Sequence, residues 1–403
     1  MKARQFIEDL DLKGRWVLIR VDFNVPLDEN QKITDNARIE AALPSIRRII
    51  ESGGKCILMS HYGRPKGQRV ESMSLKPAAE ELSLLLEKNV SLAPDSIGSE
   101  VEQMVSLMKE GELLLLENLR FHQGETKNDP QFCEAMARLG EVYINDAFGT
   151  AHRAHASTAG VAALMEDRAV GYLIRKELEF LGAAVLDPQK PFTAILGGAK
   201  VSDKIKVIER LMEKVDALII GGGLANTFLK AQGMEIGDSL LEEDALETAK
   251  NLLDDAKKSG VKIHLPVDVC TAPELLQEVE TKFLKVEDKV QAGWKILDIG
   301  PESVKQFGSV IQNSKTVLWN GPMGVFEYSA FASGTRGVTE ALAISTDAGA
   351  VSIIGGGDSA AAVNQFGMQD RITHISTGGG ASLEFLEGKE LPGVSVIPEK
   401  MNI

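Results

Sequence analysis

Cysteine is scarce in this chain of 403 residues: Cys56, Cys133 and Cys270 are widely separated, with no CxxC pair and no metal-ligand spacing. A disulfide-stapled or zinc-stapled module is thereby excluded, and a reducing compartment is expected. Long apolar runs are missing as well, since no window approaches the ~18 residues of a membrane-spanning helix. The opening stretch MKARQFIEDLDLKGRW carries charges every few positions where a secretion signal would be apolar. Positive charge is also in deficit, with 44 Lys plus Arg against 58 Asp plus Glu and a formal net charge of −14. Such a chain offers no general electrostatic footprint for nucleic acid or an anionic membrane. The expectation is a cytoplasmic protein in which any anionic ligand is captured by local cations.

What remains is ordinary globular usage, 44% hydrophobic and 25% charged, over a length that suits two or three domains at about 100–200 residues each. Short apolar runs recur at 16–23, 55–61, 112–119, 141–148, 191–198, 216–223, 262–269, 315–321, 351–357 and 372–379. They read as buried strands. Helical periodicity at 37–52, 76–88, 203–214, 242–259 and 360–366 alternates with them. The fold class expected is α/β, with parallel sheets covered by helices on both faces. Nearly every run ends in Gly, Asn, Asp, His or Arg, at the strand ends where open α/β sheets bind ligands. A further amphipathic helix at 172–187, with Leu173, Leu178 and Leu181 on one side and Pro188 and Pro191 after it, reads as an interdomain element. The apolar strip Val394, Val396 and Ile397 suggests that the carboxyl-terminal tail docks on a neighbouring surface.

The first half gathers cations at or just beyond strand ends: Arg20 and Arg38, His61 and Arg64, Arg120 and His122, His152 and Arg153. One Arg in such a place is ordinarily a surface ion pair. Four places, if adjacent strands unite them, form a patch of guanidinium forks suited to carboxylate and phosphate. His152 and His155 are close enough to be metal ligands but have no third ligand nearby in sequence, so structural or anion contacts are the preferred reading. The second half has four glycine clusters, at 197–198, 221–223, 355–357 and 378–380, all but the last followed by a clear helical pattern. Tight turns need glycine anyway, yet four clusters favour backbone amides facing a phosphate at helix amino termini. Lys200 and Lys204, four apart, are expected on one helical face, and Asp358 is a candidate for Mg²⁺.

Two signatures are absent: neither Gly54-Lys55 nor Gly388-Lys389 completes a Walker A loop, and no GxSxG elbow occurs. Gly355, Gly357 and Ala360 fit GxGxx[G/A], but no acidic residue falls about 20 positions later. A nicotinamide-dependent oxidoreductase is therefore an alternative, as is a non-catalytic nucleotide-binding scaffold.

The stretches RVDFNVP (20–26), TDNARI (34–39), SHYGRPKG (60–67), LLLENLRFHQGETKN (114–128), NDAFGTAHRAHAS (145–157), GGAKVSDKI (197–205), GGGLANTFLKAQG (221–233), WNGPMGVFE (319–327), GGGDSAAAV (355–363) and STGGGASLEFLEG (376–388) resemble, in this order and in both halves, the phosphoglycerate kinase family. Tyr62 stands where that family usually has Leu, and Ser359 where Thr is common. The resemblance implies two Rossmann-like three-layer αβα domains with mainly parallel sheets, joined by an interdomain helix and hinge. They are a phosphoglycerate-binding domain at 1–171, to which the tail 389–403 returns, the helix at 172–187, and a nucleotide-binding domain at 188–388. It implies a monomer that transfers phosphate between 1,3-bisphosphoglycerate and ADP with Mg²⁺. Carried over by residue, Asp22, Phe23, Asn24, Arg38, His61, Tyr62, Gly63, Arg64, Arg120 and Arg153 fall on the phosphoglycerate site. Gly198, Ala199, Lys200, Lys204, Gly222, Gly293, Asn320, Glu327, Gly356, Gly357, Asp358 and Ser359 fall on or beside the nucleotide site. In that scheme Arg38 and Lys200 are catalytic, Lys204 contacts nucleotide phosphate, Asp358 attends the metal and Glu327 the ribose. A carboxylate acceptor is already ionised, so no general base is needed and none stands out. Substrates on separate domains require hinge closure around the 172–187 helix.

Overall fold

The computed structural model describes residues 4–400, apart from the side chains of Val185 and Leu186. By contact density the chain divides into two compact units, one running through Glu179 and resuming at Glu390, the other being Phe180–Lys389. The boundary falls inside the helix Tyr172–Leu186, which therefore belongs to both units.

The first unit holds a sheet of β1 (Trp16–Arg20), β2 (Lys55–Met59), β3 (Val90–Leu92), β4 (Leu113–Leu115), β5 (Val142–Asn145) and β6 (Asp167–Val170), in the order β3-β4-β2-β1-β5-β6. All five pairings are parallel. The central strands are buried almost throughout because helices cover both faces, which is why they read as unbroken apolar runs. Val17, Ile19, Cys56, Leu58, Val142 and Ile144 pack against Ile39, Ile46 and Ile49 of the helix Ala37–Glu51 in one continuous core. Register places Arg20 level with Met59 and Asn145, so one edge collects the residues that follow these strands. The order of strands reverses between β1 and β5, the position where open α/β sheets leave a crevice.

The second unit repeats the plan with β7 (Phe192–Leu196), β8 (Ala217–Ile220), β9 (Lys262–His264), β10 (Asp268–Ala272), β11 (Lys282–Lys285), β12 (Lys295–Ile299), β13 (Thr316–Asn320), β14 (Val351–Gly355) and β15 (His374–Ile375). Six of them make a parallel sheet, β15-β14-β13-β7-β8-β9, with its reversal between β7 and β13, and the other three an antiparallel sheet, β11-β10-β12.

Several expectations need correction. The run at 262–269 is two strands of different sheets, since Pro266 interrupts it before β10 turns antiparallel. Val90–Leu92 and the edge strand Asp167–Val170 were not visible as apolar runs, being too short or opened by charges. On Tyr172–Leu186 the buried face is Ile174, Leu181 and Ala184, while Leu173 and Leu178 are only half-buried. The fourth glycine cluster does lead into a helix, Gly380–Leu386.

The tail returns to the first unit. Asn145 Nδ2 donates to Gly393 O at 2.7 Å, Arg168 Nε to Val396 O at 2.8 Å and Gln5 N to Pro398 O at 2.9 Å. The expected tail extends to 403, and 401–403 lie outside the described residues, as do 1–3 at the other terminus.

Just beyond β5, Asp146 Oδ1 accepts from Leu173 N at 2.9 Å and Ile174 N at 3.3 Å, capping the start of the helix Tyr172–Leu186. Burial raises its carboxyl from the ordinary 3.8 to about 7. Because the folded value lies above the unfolded one, this acid favours folding less as pH rises through that interval. Asp146→Ala is expected to lower stability in urea unfolding by about 1–2 kcal/mol, whereas Asp146→Asn keeps an acceptor and removes the slope with pH. Wild-type stability in the Ala variant would dismiss the capping role.

Candidate functional site

The first unit concentrates its polar residues where β1, β2 and β5 end. Asp22 and Asn24 follow β1, and Arg38 NH1 on the helix Ala37–Glu51 donates to Asp22 Oδ2 at 3.0 Å and Asn24 O at 3.2 Å. Asn24 Oδ1 accepts from Gly63 N at 2.9 Å, and Gly63 O accepts from Arg120 NH1 at 2.7 Å. These bonds tie the loops after β1, β2 and β4 into one rim. Phe23 contributes only backbone, because its ring is fully buried and its N–H donates to Ser60 Oγ. Tyr62 packs partly buried against the same core, its N–H held by Asn118 Oδ1.

Arg64, Arg120 and Arg153 converge on a cavity of about 420 Å³ completed by Lys66, Gln123, Thr126, Lys127 and His155. Positive charge crowded out of water resists itself. Burial, then Arg153 and Arg20, bring the Arg120 guanidinium down to about 10, and burial with Arg120 and Arg153 brings His155 down to about 4. His61, 4% exposed, is held well below the ordinary imidazole range by burial and then by Arg20, Arg120, Arg153 and Arg38. It is neutral. Arg20 NH2 lies 3.0 Å from His61 Nδ1, and a guanidinium can only donate, so Nδ1 accepts and Nε2 carries the proton.

Two cations drop out of the expected patch. His122 Nε2 pairs with Asp95 Oδ1 at 2.6 Å, away from the cavity lining, and His152 accepts from Arg153 Nε at 3.2 Å. Lys66, Lys127, Gln123 and Thr126 were not singled out by the sequence reading, although all lie within the family-like stretches.

In the second unit the glycine-rich ends of β7, β8, β13 and β14 press together. Gly197 N donates to Asn320 O at 2.9 Å, Gly198 N to Pro322 O at 3.2 Å and Gly222 N to Met323 O at 3.0 Å. A Cβ on Gly222, whose φ is +63°, would stand 2.9 Å from Gly198 N and O, so only glycine permits this approach. Ser359 is fully buried, and its Oγ accepts from Gly321 N at 2.6 Å, clamping the loops after β13 and β14. The helices Gly222–Ala231 and Gly357–Gln365 begin here; the first spends Gly222 N on Met323 O and Leu224 N on Gly198 O, whereas the second presents its first-turn amides.

Beside them lies a cavity of about 360 Å³ with a mostly apolar wall, including Leu229, Leu240, Met323 and Val325, together with Gly198, Ala199, Gly222, Glu327 and Asp358. Buried Asn226 and Asp298, both unforeseen, join it. Burial lifts the Asp298 carboxyl to about 7.

The two lysines behave differently from expectation. The helix begins at Ile205, so Lys200 lies in the preceding loop, exposed, and shares no helical face with Lys204. Lys204 is buried against Asn320, its Nζ donating to Asn320 Oδ1. Burial brings its ammonium down to about 8, opposed by Asp203 and Asp358. Gly356 approaches Asn320 Nδ2, which donates to Gly355 O. Gly293 is exposed two residues before Lys295 and is not part of the cavity wall. A larger cavity of about 870 Å³ at the opposite edge, around Lys190, Lys214 and Lys262, contains none of the expected residues.

The geometry is thus a cationic basin in one unit, and glycine-rich loops beside an apolar pocket in the other. The family model for phosphoglycerate kinase matches residues 7–389. Phosphoglycerate kinase from Chloroherpeton thalassium is 55% identical over 98% of this chain and 99% of its own length. The one from Synechococcus elongatus is 54% identical over 96% of each. Among solved structures, phosphoglycerate kinase from Coxiella burnetii superposes with a TM-score of 0.88 at 42% identity, covering 98% of both chains, and that from Pyrococcus horikoshii with 0.84 at 34% over the same share. The dehydrogenase reading of Gly355, Gly357 and Ala360 finds no support among these relatives. With both halves matched in order and two parallel-sheet α/β units behind them, the chain belongs to the phosphoglycerate kinase family, whose members are phosphotransferases with a carboxyl group as acceptor.

Proposed function

We propose that the chain catalyses reversible transfer of the acyl phosphate of 1,3-bisphosphoglycerate to ADP, giving 3-phosphoglycerate and ATP, with phosphoglycerate on the first unit and nucleotide on the second. The observation that carries the division of labour is the basin where Arg64, Arg120 and Arg153 converge beside neutral His61. Three guanidinium forks with an imidazole N–H suit a phosphomonoester. Arg38, at the rim and tied to Asp22, stands toward the carboxyl end of such a ligand in this reading. The apolar cavity suits a purine base, and the amide end at Gly357 suits its phosphates.

Phosphoryl transfer to a carboxylate asks the protein for alignment and positive charge rather than a base. Arg38 and Lys200 supply charge at the group in flight, and Lys204 at the nucleotide phosphates. Among the described residues no cluster of three His, Cys, Asp or Glu forms a metal site. Asp358 is a single exposed carboxylate in the first turn of Gly357–Gln365, which fits a Mg²⁺ that arrives with nucleotide phosphates and keeps several waters. When bound, that ion neutralises phosphate charge. Because the reacting oxygens start on different units and must come to roughly 3–3.5 Å, we assign the closing motion to the helix Tyr172–Leu186. The family resemblance supports a cytoplasmic monomer, the acidic balance argues against nucleic acid, and among the described residues no helix is long and apolar enough to cross a membrane.

Purified protein with 3-phosphoglycerate, ATP and Mg²⁺ is expected to release ADP, with hydroxamate forming in step when hydroxylamine is present and both lost on adding EDTA. ADP release without 3-phosphoglycerate would refute the acceptor. Arg38→Ala is expected to reduce kcat at least ~100-fold, the scale of one transition-state donor, and an unchanged kcat would remove Arg38 from catalysis. Lys204 is charged below pH about 8 and neutral above it. Phosphates favour the charged form, so MgADP affinity measured by calorimetry is expected to weaken above that pH by up to about tenfold per unit. Lys204→Met flattens the profile. A constant affinity from neutral to alkaline pH in the wild type would separate Lys204 from the phosphates.

A further inference from the structure

Glu125 is fully buried on the short helix Gln123–Lys127, in the midst of Arg20, Arg120, Arg153 and His155, yet it is not part of the basin wall. An unpaired carboxylate in such a place would be strongly unfavourable. Glu125 instead accepts from Ser157 twice, from the backbone N–H at 2.9 Å and from Oγ at 2.7 Å, with His155 Nδ1 at 3.8 Å. Ser157 stands on the π-helical turn Ala156–Gly160, its carbonyl receiving the Tyr143 hydroxyl at 2.7 Å. A serine hydroxyl has one proton. Since that proton goes to Glu125, the oxygen is left as an acceptor, and Arg20 Nε donates to it at 2.8 Å. Arg20, 1% exposed, also donates through NH1 to Val21 O and through NH2 to His61 Nδ1.

We infer that Glu125 is a positioning residue for the phosphoglycerate site, acting through Ser157 and Arg20 to fix His61 as the tautomer that carries its proton on Nε2. The inference rests on the reading of the first unit's basin as that site. His61 Nε2 has no hydrogen-bond partner within the protein among the described residues, so it is a donor free for a substrate oxygen. If the carboxylate is lost, the Ser157 hydroxyl turns, the Arg20 fork loses one of its three tethers, and Nδ1 of His61 is no longer compelled to accept. The imidazole then samples both tautomers, and the donor faces substrate only part of the time.

The test uses the full chain labelled with ¹⁵N-histidine, the His61 signals being assigned by their loss in His61→Gln. In wild type, one His61 nitrogen is expected at the protonated and the other at the unprotonated extreme. In both Glu125→Gln and Ser157→Ala the two signals move together, and KM for 3-phosphoglycerate rises about tenfold, the equivalent of one hydrogen bond to a charged group, while KM for ATP stays put. Ser157→Ala keeps the carboxylate and tests the relay should the Glu125 variant fold poorly. Unshifted His61 signals in Ser157→Ala would overturn the inference, as would equal losses in both KM values accompanied by a lowered melting temperature. If the tautomer signals merge but His61→Gln leaves KM for 3-phosphoglycerate unchanged, the relay stands and the assignment of the basin is what fails.

Discussion

Arg20 lies almost wholly out of water, and the bonds that make its charge tolerable organise everything around it. A site that captures a small polyanion must hold several cations close together before the ligand arrives, and in a low-dielectric setting they repel one another. The first unit meets this with rigidity. Arg20, Arg38 and Arg120 are each tied to a carbonyl, hydroxyl or carboxylate, His61 and His155 are kept neutral, and Arg64, Arg120 and Arg153 line the basin. In the proposed function the ligand supplies the negative charge that the protein withholds.

The second unit solves a similar problem with backbone. At the ends of β7, β8, β13 and β14 the chains come so close that side chains are excluded, and in the proposed site the amide dipole at the start of Gly357–Gln365 takes the place of guanidinium groups. Lys204, sunk against Asn320, is a buried cation of that edge, and its depressed pKa reflects the same cost of desolvation met by Arg120. Both units use the carboxyl edge of a parallel sheet at the reversal of strand order, so strand register sets the spacing of the chemistry.

The architecture was legible because fully buried parallel strands are continuous apolar runs, as at Val17–Ile19 and Val317–Trp319. The short Val90–Leu92 and the antiparallel Lys282–Lys285 were not, since an exposed or three-residue strand leaves little hydrophobic trace. Likewise a cation at a strand end could be picked out, but not its partner: His122 turns to Asp95, whereas Arg20 turns to Ser157 and His61. Spacing also misjudged Lys200 and Lys204, because four residues apart means one face only once a helix has begun, and this one starts at Ile205. Glu125 gave no sign at all. Its contacts, with Ser157 and His155, are remote in the chain and set by one turn of unusual helix.

The return of the tail to the first unit bears on the history of each molecule as it is made. Asn145 and Gly393, joined by one hydrogen bond, are 248 positions apart, with the entire second unit between them. Closing so distant a contact carries the entropy of a very long loop, and it contributes to slow, late steps of folding. On the ribosome most of the first unit emerges before the second, but the pieces around Leu391, Val394 and Ile397 that complete it follow the second unit in the chain. The first-made unit is therefore the last to be finished, and it waits, without its returning segment, until its neighbour's sequence has been translated in full.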